Sequence, residues 1–118
     1  MSKKIAVTGG SGKLGGACID ALLGEGWTPF NFDLAPPRER KCSFTRLDLT
    51  EYGQVVEALA GIDALHDGVD AVLHLAAISG PSHAGNAETF VSNIAATFHV
   101  FQAAKLLKID NVVWASSE

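Results

Sequence analysis

One segment near the start constrains the chain more than any other. Val7-Thr8-Gly9-Gly10-Ser11-Gly12-Lys13-Leu14-Gly15-Gly16 follows the apolar run Lys4-Ile5-Ala6-Val7-Thr8 and opens an amphipathic stretch. It reads as a strand that turns at once into a helix. Glycines at 9, 12 and 15 give each third position a backbone without a Cβ. Gly9 can take positive φ in the tight turn, Gly12 lets another group approach the backbone, and Gly15 lets the helix pack close to its strand. A strand passing straight into a helix commits the chain to α/β architecture with parallel pairing.

The remaining pattern repeats that unit. The first helix is read over Gly12 to Glu25, with Leu14, Cys18, Ala21 and Leu22 as its apolar face. Thr28 to Asp33 reads as a second strand, where Pro29 fits only at the start. Ala35-Pro36-Pro37 opens a polar loop, and Ser43 to Leu47 reads as a third strand. Thr50 is placed to cap a helix over Glu51 to Ala60. Asp70 to Leu75 is a nearly all-apolar fourth strand, as a strand covered on both faces should be. A Ser/Gly/Pro-rich loop over Ile78 to Gly85, a long helix over Ala87 to Leu107 and a fifth strand over Asn111 to Ala115 complete the order. The last strand should feed a further helix, so residues 1–118 are expected to be one incomplete, C-terminally truncated domain.

Composition excludes several classes. With 9 Lys+Arg against 13 Asp+Glu the net charge is -4, and no basic patch suggests a nucleic-acid partner. No apolar run reaches the length of a membrane span, and the start lacks the apolar core of a secretory signal. Cys18 and Cys42 have no metal-ligand spacing and suit reduced thiols, so the expected setting is cytoplasmic, without metal or membrane.

The glycine triplet matches a variant of the dinucleotide fingerprint, with the Lys13 and Leu14 amides at the helix start aimed at a pyrophosphate. A phosphate-binding loop of the G-x-x-x-x-G-K-[ST] type fails, because position 7 is Val and position 14 is Leu. The fingerprint's second half is an acid at the end of the second strand, accepting ribose hydroxyls. Asp33 stands there. Its charge opposes a 2′-phosphate, so NAD is expected over NADP, with Arg38 and Arg40 able to soften that preference.

Taken together, Thr8-Gly9-Gly10-Ser11-Gly12-Lys13-Leu14-Gly15, Asp33, Asp48-Leu49, His74-Leu75-Ala76-Ala77, Asn93-Ile94-Ala95-Ala96-Thr97 and Trp114-Ala115-Ser116-Ser117 resemble the extended short-chain dehydrogenase/reductase family, in its NAD-dependent epimerase/dehydratase group. The resemblance implies a three-layer, doubly wound Rossmann-type domain with five parallel strands in the order 3-2-1-4-5. It implies that Asp48 and Leu49 border the adenine, and that Leu75, Ala76 and Ala77 lie along the ribose and nicotinamide. Asn93 should face the cofactor, and Ser117 should hold the reacting oxygen of a sugar or nucleotide-sugar substrate.

His74 is read instead as a hydrogen-bonded core residue. His66, His83 and His99 share no ligand spacing. Phe90, Ile94 and Phe101 are assigned to core or interface. The family's Tyr-x-x-x-Lys is missing, since the single tyrosine, Tyr52, is followed by Val56 where lysine is needed. The expectation is therefore an NAD-binding half of an oxidoreductase or epimerase, inactive alone and part of a homodimer in the parent. The alternative is a non-catalytic NAD(P)-binding or redox-sensing module.

Overall fold

The computed structural model describes residues 3–61, 67–77 and 86–115. Along the chain these form β1 (Lys4–Thr8), α1 (Lys13–Gly24), β2 (Thr28–Asp33), β3 (Ser43–Arg46), α2 (Tyr52–Ala60), β4 (Ala71–His74), α3 (Asn86–Leu106) and β5 (Asn111–Trp114). All pairings are parallel, in the order β3-β2-β1-β4-β5, as expected. The chain steps outward from β1 to β3, then returns to place β4 on the other side of β1. In sheets of this kind ligands bind at such a reversal, at the carboxyl ends of the strands.

Register sets the layers. Ala6, Phe30 and Val72 align across three strands and pack with Val55, Leu59, Val100 and Ala103, so α2 and α3 cover that face. One residue further along each strand the side chains reverse. Asn31 then lies on the α1 side, close to Ile19 and Gly10. Pro29 is tolerated because Thr28 donates its N–H to Lys3 O, which turns the next nitrogen toward the β3 side. Pairing with β3 starts only at Phe30, opposite Ser43, so no ladder bond is lost.

Two expectations need correction. The buried stripe of α1 is Gly15 and Ile19, while Leu14 is 59% exposed. The cause is Gly15, where a Cβ would lie only 2.1 Å from Gly9 O, so the helix docks on its glycine and turns Leu14 outward. Thr50 does not cap α2. Glu51 occupies the cap position without a side-chain bond to the helix, and the Thr50 hydroxyl is spent on Asp48. Of the core-or-interface reading of α3, exposure leaves the interface for Phe90 and Ile94, which are 67% and 56% exposed. Phe101 is half-buried and meets Trp114 edge-on at 5.0 Å. The expected loop over Ile78 to Gly85, and with it His66, His83 and Ser117, lies outside the described residues. No helix among the described residues is long and apolar enough to cross a membrane.

Candidate functional site

The turn after β1 is built by close approach. Gly9 has φ 77°, and a Cβ there would sit 2.8 Å from Ala76 N, so the exits of β1 and β4 touch through this glycine. Gly12 differs. Its φ of -80° and ψ of 176° suit any residue, and an added Cβ would meet only Gly9 O at 3.4 Å. Nothing among the described residues excludes a small side chain at Gly12, whose outer surface faces a cleft of about 650 Å³. Gly12 also caps α1 without a side-chain bond, leaving the first amides of the helix to the cleft and to the positive end of the dipole.

The acid is fastened to this turn. Ser11 N donates to Asp33 Oδ2 at 3.1 Å, while Leu34 N and Ala35 N donate to Oδ1 at 2.7 and 3.3 Å. Three backbone donors therefore fix the carboxylate at the cleft wall. Across from it, Asp48 Oδ1 accepts the Thr50 hydroxyl at 2.7 Å and the Thr50 amide at 3.0 Å. The Thr50 hydroxyl first, then its amide, holds the Asp48 carboxyl below the usual aspartate range, with Arg46 adding to it. Much of the work of Asp48 is thus to shape its own loop. His99 Nδ1 is 2.7 Å from Leu49 O, tying that loop to α3.

The cleft brings together Gly9, Gly12, Lys13, Leu14 and Gly15 from the first turn, Asp33 from β2, Asp48 and Leu49 from the loop after β3, Leu75, Ala76 and Ala77 after β4, and Asn93 from α3. Ser11 stands apart. Its hydroxyl accepts from Asn31 Nδ2 at 3.1 Å and lines a second cavity of about 670 Å³ on the α1 side, together with Arg38. Arg40 turns to Cys42 O at 3.3 Å.

Three residues that shape the site were absent from the sequence-derived set. Thr8 bonds the exit of β4, as described below. Asn31 is 2% exposed and supports Ser11. A Cβ at Gly10 would fall 2.3 Å from Asn31 Oδ1, so Asn31 would have to give way. The lone polar residue in Phe30-Asn31-Phe32 and the doublet Gly9-Gly10 were the available signals.

His74 is a core histidine, as expected, 3% exposed and bonded on both ring nitrogens. Burial holds its pKa below the ordinary value.

A family model described as the NAD dependent epimerase/dehydratase family matches residues 5–118. The chain belongs to the NAD-dependent epimerase/dehydratase family. Among its relatives is an L-arabinose 1-dehydrogenase (NAD(P)(+)) of Haloferax volcanii, 32% identical over 117 residues, which cover 97% of this chain and 41% of that protein. A short-chain dehydrogenase/reductase superfamily protein from Agrobacterium tumefaciens, solved with bound NAD, is 31% identical with a TM-score of 0.80, over 97% of this chain and 32% of that one. UDP-N-acetylglucosamine 4-epimerase from Bacillus cereus is 30% identical with a TM-score of 0.76, over 98% of this chain and 36% of that one. The family member described here thus spans less than half the length of these relatives.

The residues fit a dinucleotide. A turn whose middle glycine leaves its outer face open, helix amides without a side-chain cap, and a carboxylate fixed beside them match the phosphate and ribose ends of such a ligand.

Proposed function

We propose that this chain binds NAD in the cleft and forms the cofactor half of an enzyme interconverting carbinol and carbonyl carbons on a sugar or nucleotide sugar. The observation that carries the reading is the bond from Ser11 N to Asp33 Oδ2. It fixes the acid against the glycine turn in a cleft that Ala76 and Ala77 also line. NAD, when bound, supplies the hydride acceptor for such a reaction.

The chain's own residues bind and orient. Gly12 leaves the backbone bare, and the Lys13 and Leu14 amides meet the pyrophosphate at the positive end of α1. Asp33 accepts the ribose hydroxyls and opposes a 2′-phosphate. Leu49 gives the adenine an apolar wall, and Ala76 and Ala77 leave room for the rings beyond. Ser117 belongs to the same proposal as the hydrogen-bond partner of the reacting oxygen. Proton exchange with the substrate hydroxyl falls to a group other than Tyr52, which sits at the start of α2 with its ring 5.5 Å from that of His99.

Arg38 lines the neighbouring cavity, so NADP is the weaker ligand rather than an excluded one. Calorimetric titration with NAD and NADP tests the reading. The expected result is saturable binding of both, NAD being the tighter. Absence of NAD binding overturns it. The parent protein assayed with sugar substrates separates the enzyme from a nucleotide-binding module without chemistry.

A further inference from the structure

Three strands of hydrogen bonding converge on one hydroxyl at the root of the cleft. Thr8 ends β1, and its Oγ1 lies 3.1 Å from both Leu75 N and Ala76 N and 2.6 Å from His74 Nδ1. Across the ring, His74 Nε2 lies 3.1 Å from Thr97 Oγ1 on α3. Backbone amides can only donate: Ala76 N–H points at Thr8 Oγ1, and Leu75 N–H is shared between that oxygen and Thr8 O, also 3.1 Å away, so both lie on the hydroxyl's acceptor side. The hydroxyl's own hydrogen has one direction left, toward His74 Nδ1. That nitrogen must therefore be the acceptor, and the ring proton must sit on Nε2, where it faces Thr97. The opposite tautomer would aim three donors at one buried oxygen and leave the Thr8 hydrogen without a partner.

We propose that His74, as the Nε2–H tautomer, is a positioning residue for the cofactor cleft, orienting the Thr8 hydroxyl so that it holds the exit of β4. The proposal rests on the reading that this cleft binds NAD. The held segment is the cleft wall itself, since Ala76 and Ala77 line it and the Ala76 backbone abuts Gly9. Because Thr97 belongs to α3, the chain of bonds also sets that helix, with Asn93 one turn before Thr97, against the same wall. His74 does not touch the ligand. It acts through Thr8, and its burial, which disfavours the charged ring, keeps Nδ1 free to accept.

The test pairs a proton assignment with binding. Nitrogen-15 NMR of the histidine-labelled, full-length protein should show the His74 proton on Nε2; a proton on Nδ1 overturns the proposal. His74→Asn keeps a short acceptor near Nδ1 and should bind NAD within about threefold of the wild type. His74→Leu leaves the Thr8 hydroxyl unoriented and should bind about tenfold more weakly. Wild-type affinity in His74→Leu overturns the proposal. The Ala76 amide supplies a readout independent of ligand: its hydrogen-exchange protection should fall in His74→Leu and survive in His74→Asn. A wild type that fails to bind NAD overturns the proposed function alone, and unchanged Ala76 protection in His74→Leu overturns the positioning role alone.

Discussion

Gly9 and Gly12 sit three residues apart and are glycine for different reasons, which their variants should reveal. Gly9→Ala forces a side chain into φ 77° and against Ala76 N, so it should destabilise the fold by about 1–3 kcal/mol in urea melts. Gly12→Val meets little within the chain and should melt close to the wild type, yet lose NAD binding by tenfold or more, about 1.4 kcal/mol. A variant at Gly12 that binds NAD normally would place the phosphates elsewhere. Asp33→Ala should lower the NAD/NADP affinity ratio by about 1–3 kcal/mol, because a charge-assisted acceptor and the repulsion of a 2′-phosphate go together. His74 contributes a pH signature. Burial lowers its folded-state pKa below the ordinary 6.5, so the unfolded chain takes up a proton that the folded chain refuses. The stability this group provides is full above pH 6.5 and is lost as the pH falls through that value toward the lower folded-state one. Urea melts of wild type and His74→Asn across that window should converge toward acid pH, and parallel curves would contradict the assignment.

The elements show where sequence reasoning reaches and where it stops. The strands were legible because most are apolar runs bounded by breakers and the β-α alternation leaves few topologies, while their order came with the family resemblance. The helix faces were less so. Period alone put Leu14 on the buried side of α1, whereas contact between Gly15 and Gly9 O sets the actual rotation. Thr50 had the right chemistry for a cap, but Asp48, two residues before it, took its hydroxyl. The glycine turn and Asp33 followed from motif spacing and the other cleft residues from the family resemblance, while the roles of Thr8, Gly10 and Asn31 rest on contacts between segments that the Gly9-Gly10 doublet and the lone polar Asn31 only hint at. α3 is followed by Lys108 at φ 59°, while Ile109 N closes back on Ala104 O at 2.8 Å. That is a left-handed helix end filled by a residue with a Cβ. Lys108→Gly should raise stability by about 0.5–1 kcal/mol, partly offset by the freer unfolded chain, and the melting midpoint reads it.

Across the whole molecule the two faces of the sheet are unequally covered. α2 and α3 close one face, while on the other α1 packs on β1 and β2 and leaves Val113 of β5 exposed. On α3, Phe90, Val91, Ile94 and Phe98 are exposed as well. A surface of that character associates readily. The expected partner for α3 is a second copy of the protein, and Ile94→Glu with Phe98→Glu should shift sedimentation toward the monomer while NAD affinity stays unchanged. No shift would assign the face to another occupant.

The bond between Ser11 and Asp33 spans 22 residues, and that between Thr8 and Ala76 spans 68. The walls of the cleft therefore come from stretches that meet only after the parallel pairing of β1 with β4 has closed a long intervening loop. Such pairing is slow, because the chain loses freedom before distant contacts reward it. The cleft is then among the last features to assemble. A nucleotide lying across it bridges parts of the chain that the covalent backbone keeps far apart, and works as a clasp on the finished fold. At about a hundredfold excess over its dissociation constant it adds about 2.7 kcal/mol to the folded state. Sparing supply of the nucleotide should therefore leave the protein short-lived as well as idle.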